Sequence, residues 1–344
     1  MAIRSQNSLF HFRNKEIQMK ISVIVPYYNP ENDLNTEDLL IRAVMSALNN
    51  LKGVCDHEVL IVDDGSPYEP DLDTLSDPAI RYIRRPHGML GAARNTGIEN
   101  ATGDVISFLD ADDYYYPGTL APCIKAMEQN SADLVGFGIR TTKSGNGIDR
   151  LSSGKPVFSA PMTGDEYMCR NNLYGSACRY LIRSSVIKNN GLRFVENAFI
   201  EDEEFVPRLF FYTWRYINTT YPVYAYYIHS GSIITSDSAQ RIEQKSDHTI
   251  MALKSLLRFR DEHIHEPHEG FDRKIHTLAI DHLRRTLRRN DWRSALPQQM
   301  DTLRQMGLYP LHLHGIPFKF WIFAGLCGNR PGQFILHVIE FFYK

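Results

Sequence analysis

The chain has 344 residues, with 38 Lys/Arg against 40 Asp/Glu, 43% hydrophobic, 23% charged and 11% aromatic residues. That length holds about two domains of ~150 residues, and the balance excludes disordered, collagen-like and fibrous classes. A net charge of −2 provides no overall field for nucleic acid, although residues 271–344 are locally basic, with 11 Lys/Arg against 5 Asp/Glu.

In chain order, residues 1–19 read as a disordered leader, since the segment to Gln18 is polar and lacks the apolar stretch of a secretory signal. A buried strand is predicted from Ile21 to Val25, a break at Pro26 to Pro30, and then a helix with Leu39, Leu40, Val44 and Leu48 at three-to-four spacing. The next apolar run, Val59 to Val62, ends in Asp63-Asp64-Gly65-Ser66. A weaker strand at Arg81 to Arg84, a Gly-punctuated helix from about Gly91 to Asn100, and a strand from Val105 to Leu109 follow, the last ending in Asp110-Ala111-Asp112-Asp113. A helix after Pro117, a strand at Leu134 to Ile139, and a Gly/Ser/Lys loop or lid from Lys143 to Lys155 come next. Beyond a mixed middle region the chain reads as mostly helical from Ala239.

This alternation implies an α/β fold with a mostly parallel sheet flanked by helices and a C-terminal helical region. The boundaries predicted are an α/β domain over 20–238, in two halves (20–135 and 136–238), and a helical region over 239–344. Ligands of such sheets gather at the carboxyl ends of the strands, where the polar clusters lie. No apolar run is long enough for a spanning helix. The five cysteines are scattered and form no C-x-x-C pair, so neither a disulfide framework nor a zinc site is indicated and a cytoplasmic location is expected.

The chemistry concentrates in a few segments. Asp110-x-Asp112 offers two carboxylates suited to Mg²⁺ or Mn²⁺ with phosphate as co-ligand. Asp64 can accept an imide N–H of uracil or thymine, or N1–H of guanine, and Tyr27 and Tyr28 can flank a base. The segment from Gly88 to Gly97 allows close backbone approach, and Arg94 suits phosphate oxygens. Singly, each also reads as an Asp-Gly turn, core aromatics or a helix start. Glu201-Asp202-Glu203-Glu204 likewise reads as a solvated helix face or as a source of a general base.

Taken together, Ile21-Ser22-Val23-Ile24-Val25-Pro26-Tyr27-Tyr28-Asn29, Ile61-Val62-Asp63-Asp64-Gly65-Ser66, Ala93-Arg94-Asn95-Thr96-Gly97-Ile98 and Phe108-Leu109-Asp110-Ala111-Asp112-Asp113 resemble the inverting family 2 glycosyltransferases of the GT-A fold, Rossmann-like and of bacterial polysaccharide-biosynthesis type. The resemblance is strong to about residue 120 and looser to about 235. It implies transfer of a sugar from a nucleotide-diphosphate sugar, UDP foremost, to a hydroxyl of a glycan or lipid-linked acceptor, with Mn²⁺ or Mg²⁺ as cofactor. By similarity Pro26, Tyr28 and Asp64 line the nucleoside pocket with Asp63 beside it, and Arg94 lies near the diphosphate. Asp110 then serves ribose or metal, Asp112 is the principal metal ligand, Asp202 is the catalytic base, and His229 is a further metal or diphosphate contact. Where family members commonly carry Trp-Gly-Lys, this chain has Leu173-Tyr174-Gly175-Ser176-Ala177-Cys178.

The alternatives are a nucleotidyl- or phosphoryl-transfer enzyme, whose phosphate-binding lysine loop is absent, and a non-catalytic sugar-nucleotide-binding module, which has no need of Glu201-Asp202. The C-terminal arginines and aromatics read two ways: as a peripheral contact with the inner face of an anionic membrane, or as a helical hairpin packed on the catalytic domain or on a second subunit of a homo-oligomer.

Overall fold

The computed structural model describes residues 19–143, 154–228, 239–311 and 318–342. The leader to residue 18, the body of the predicted lid (144–153) and His229 lie outside them.

Eight strands form one sheet: β1 (Ile21–Tyr27), β2 (His57–Asp63), β3 (Ile80–Arg84), β4 (Val105–Phe108), β5 (Tyr114–Tyr115), β6 (Leu134–Thr142), β7 (Tyr180–Arg183) and β8 (Tyr216–Tyr227), in the order β3-β2-β1-β4-β7-β6-β8-β5. The pairs β3–β2, β2–β1, β1–β4 and β6–β8 are parallel, whereas β7 runs antiparallel to both β4 and β6, and β5 antiparallel to β8. The sheet is therefore mixed: a parallel half that the apolar runs announced, and a second half stitched in by β7.

Every residue of β1 is buried, which explains its nearly unbroken apolar sequence. Pro26 is tolerated in this central strand because pairing with β4 ends at Ile24 and Phe108, so its missing N–H faces no strand partner. The chain crosses from β1 to β2 on one side and to β4 on the other, which opens a crevice at their carboxyl ends.

Helices α1 (Leu34–Leu51) and α2 (Met89–Asn100) pack on β1 and β2. Asp33 caps α1 by accepting from the N–H groups of Asn35 and Thr36. A Cβ at Gly97 of α2 would lie 2.3 Å from Cγ2 of Ile24, so this helix rests against β1 as only a glycine permits. Next come α3 (Leu120–Gln129), α4 (Gly164–Arg170), α5 (Ser184–Asn189) and α6 (Glu201–Phe211), then α7 (Ala239–His263), α8 (Glu269–Leu287), α9 (Trp292–Gln305), α10 (Phe318–Cys327) and α11 (Arg330–Phe342). The C-terminal helices are not a detached unit, since α8 packs on α4 and α6, and α7 on α6.

Candidate functional site

Asp110 after β4 and the first two acids of α6 meet at one guanidinium. Arg94 of α2 is 1% exposed, and its Nη1 donates to Glu201 Oε1 and Asp202 Oδ1, both at 2.8 Å, while Nη2 donates to Asp110 Oδ1 at 3.0 Å. Phe108 and Phe194 flank it, with ring centroids 5.8 and 5.3 Å from its central carbon. Small residues bring α2 close enough for this: a Cβ at Gly91 would lie 2.3 Å from the carbonyl oxygen of Val195. Burial alone would lower the pKa of Arg94, but Asp202 and Asp110, with Cys178 and Glu201, outweigh it and hold the proton firmly.

The four acids of α6 each have a defined partner, so the solvated-face reading does not apply. Glu201 is buried, and burial together with the charge of Asp202 pushes its pKa up to about 7 against the pull of Arg94. Asp202 is also raised, by burial and by Asp110 with Arg94 opposing, and its side chain keeps 18% exposure. It accepts a further hydrogen bond from the Ala177 N–H, supplied by the segment that stands in place of Trp-Gly-Lys. Glu203 pairs with Lys274 of α8 at 2.6 Å, and the lysine outweighs burial to lower its pKa. Glu204 pairs with Arg208 and accepts from Ser255 at 2.8 Å. Ile200, just before α6, sits at φ 64°, a left-handed conformation that costs a β-branched residue ~1–3 kcal/mol. That strained step turns Glu201 and Asp202 inward in the first helical turn.

At the end of β4, Asp113 is buried and accepts from Tyr224 Oη at 2.6 Å and from the Tyr227 N–H at 2.8 Å. Burial and repulsion from Asp112 and Asp110 push its pKa up to about 9. The carbonyl of Asp112 accepts from Arg42 Nη2 at 2.5 Å, which anchors the acidic turn to α1. Asp113 is thus taken up by Tyr224 and Tyr227, which leaves Asp110 and Asp112 as the pair of hard oxygen donors that suits Mg²⁺ or Mn²⁺. Among the described residues no group of three or more His, Cys, Asp or Glu is already gathered around an ion position, so such a cation needs phosphate and water to complete its shell.

The end of β2 is built differently. Asp64 is buried, accepts from the Gly88 N–H at 3.1 and 3.2 Å, and pairs with Arg85 and with His87 Nδ1. His87 stacks on half-exposed Tyr28 with centroids 4.4 Å apart. Asp63 is fully buried and accepts from Tyr82 Oη at 2.6 Å and the Ser66 N–H at 2.8 Å, so it pins the end of β2. Sequence reading did not make Glu201 a partner of Arg94 and gave no role to Arg42, Arg85, His87, Asp113 or Tyr224. Only Asp113 and Glu201 carried a signal, as neighbours of the acids singled out.

Residues 22–189 match the family model described as Glycosyl transferase family 2. Among curated proteins, the chain is 33% identical over 166 residues to the succinoglycan biosynthesis protein ExoW of Rhizobium meliloti, covering 42% of this chain and 50% of ExoW. It is 30% identical over 195 residues to the uncharacterized glycosyltransferase EpsJ of Bacillus subtilis, covering 54% of each. The chain thus spans about half the length of these curated relatives. Among solved structures, it superposes on S. aureus TarS 1-349 in complex with UDP-GlcNAc with a TM-score of 0.63 at 17% identity, covering 94% of this chain and 89% of that one. A mannosyltransferase from Pyrobaculum calidifontis in complex with GDP-Man and Mn2+ gives a TM-score of 0.54 at 14% identity over 95% and 88%. At such identities these likenesses show a shared fold, here the GT-A type.

Proposed function

We propose that the chain, whose residues 22–189 match the glycosyl transferase family 2, is a metal-dependent inverting glycosyltransferase. In this reading it moves a sugar from a nucleotide-diphosphate sugar, UDP foremost, to a hydroxyl of a glycan or lipid-linked acceptor in polysaccharide biosynthesis. One observation carries it: Arg94 joins Asp110, at the donor end of the crevice, to Asp202, which the sequence separates by 92 residues. Donor-side and acceptor-side carboxylates therefore face one reaction centre.

Each residue has a task there. Tyr28 offers a half-exposed ring for a base, and the buried Asp64 carboxylate, held by Gly88, Arg85 and His87, accepts its imide N–H in place of one of those donors. Asp112 and Asp110 would hold the divalent cation, Mn²⁺ or Mg²⁺, which when bound would offset the charge growing on the departing diphosphate. Asp202 takes the proton of the attacking hydroxyl. Its raised pKa suits that task, because a base that titrates nearer to neutrality accepts a proton more readily in the transition state. Attack opposite the leaving nucleotide then inverts the anomeric centre. The printed titles of the structural neighbours, with UDP-GlcNAc in one and GDP-Man with Mn2+ in the other, support a nucleotide-sugar donor and a divalent metal.

The test is nucleotide release from UDP-, GDP- and dTDP-sugars with Mn²⁺ or Mg²⁺, and sugar transfer once an acceptor is found. Asp112→Ala is expected to abolish the metal response. Asp202→Asn should lower transfer by roughly 10²–10⁴-fold while leaving donor binding near wild type. Full turnover by Asp202→Asn would remove it as the base, and a wild-type chain that binds and hydrolyses no donor would overturn the reading.

A further inference from the structure

The last two helices have a fixed face and an unpartnered one. Glu340 of α11 is buried and receives Arg284 Nε at 2.5 Å and Arg288 Nη2 at 2.7 Å, both from α8. His337 Nδ1 lies 2.6 Å from the carbonyl oxygen of Leu287, and its ring stacks on Trp292. A Cβ at Gly332 would fall 2.2 Å from the carbonyl oxygen of Leu326, so α10 and α11 meet backbone to backbone. The hairpin is thus packed on α8 of the C-terminal helical region. Its outer side, however, presents Phe318 (76% exposed), Trp321 (53%) and Ile322 (52%) at helical spacing on α10. On α11 Phe334 (51%), Ile335, Val338 and Ile339 do the same.

The exposed charges that the hairpin itself carries have one sign. In residues 306–344 the sole acid is Glu340, which is turned inward, while Lys319 and Arg330 are exposed. We propose that the outer face of the α10–α11 hairpin docks on an anionic lipid bilayer surface, with its aromatic and aliphatic side chains at the headgroup level and Lys319 and Arg330 on the phosphates. Trp and Phe beside Lys and Arg, with no exposed acid on the hairpin itself, match such a surface. A second copy fits less well, since a two-fold contact through this face would bring Lys319 and Arg330 of both chains together without a carboxylate. No described helix is long and apolar enough to cross a membrane, so the contact lies in the interface plane. The inference deepens the lipid-linked reading of the acceptor and rests on it for its purpose.

The experiment is flotation of the full chain with phosphatidylcholine vesicles, with and without phosphatidylglycerol, at low and high salt, beside sedimentation without lipid. The wild type is expected to float with the anionic vesicles, and W321S/F334S to lower the bound fraction about tenfold or more. K319E/R330E should lose a similar factor, together with the salt sensitivity. Nucleotide release from the donor, measured on the same preparations, should stay at the wild-type level in W321S/F334S. A wild type that stays unbound, or a W321S/F334S variant that floats equally well, overturns docking. So does a dimer that W321S/F334S dissolves in the absence of any flotation. Flotation without nucleotide release would sink the enzymatic reading and leave the docking surface standing.

Discussion

Replacing Arg94 by methionine would leave Glu201, Asp202 and Asp110 around a buried void with no common counter-charge. Removing one partner from a buried ion network typically costs ~3–5 kcal/mol, so Arg94→Met should lower the denaturant midpoint sharply, and Glu201 with Asp202 should take up protons at neutral pH. An unchanged midpoint would mean that water already reaches the cluster. The resemblance puts this arginine near a diphosphate, whereas in the structure its guanidinium is occupied by carboxylates that lie 107, 108 and 16 residues away in sequence. Those partners were not legible: each acid was visible as a residue type, but which cation it faces depends on the packing of α6 on α2. What sequence did carry was the position of Asp110, Asp112 and Asp202 relative to strand and helix ends, because apolar runs mark where a strand stops.

At the scale of single elements, Glu58 ties the start of β2 to β1 and to the chain entering β4. Its Oε1 accepts from Ser22 Oγ at 2.6 Å and from the Thr102 N–H at 2.7 Å, and its Oε2 pairs with Arg81 at 3.0 Å. Burial opposes ionisation, yet these donors win and bring its pKa down to about 2. A carboxylate depressed in the folded state contributes stability that is present above the unfolded value near 4.5 and is lost as pH falls through 2. Glu58→Gln should therefore cost about 3 kcal/mol at neutral pH and flatten the stability curve between about pH 5 and 2, which urea titrations at several pH values would reveal. Equal pH slopes for variant and wild type would refute that linkage. The strands β1, β2 and β4 were readable because their burial on both faces leaves continuous apolar runs. The pairing of β7 and the two-residue β5 was not, since Tyr180–Arg183 and Tyr114–Tyr115 are too short for a period and owe their strand state to the neighbours they meet.

For the whole molecule, the joint between Glu203 and α8 matters most. Lys274 Nζ donates to Glu203 Oε2 at 2.6 Å and to the Leu173 carbonyl oxygen at 2.8 Å, and Arg273 donates to the carbonyls of Met168 and Asn171. One helix of the C-terminal region thus holds both the acidic helix and the segment that replaces Trp-Gly-Lys. Lys274→Met should destabilise the chain by about 3 kcal/mol and raise the pKa of Glu203, read by thermal melts and by carboxylate NMR. A melt that matched the wild type would show the pair to be ornamental. These contacts also have a consequence for how the molecule opens. Amide protons of α8 and of the later turns of α6 should exchange together, as one foldon, so the stretch 22–228, which keeps α6 but ends before α8, would when expressed alone lose the brace of its acidic helix.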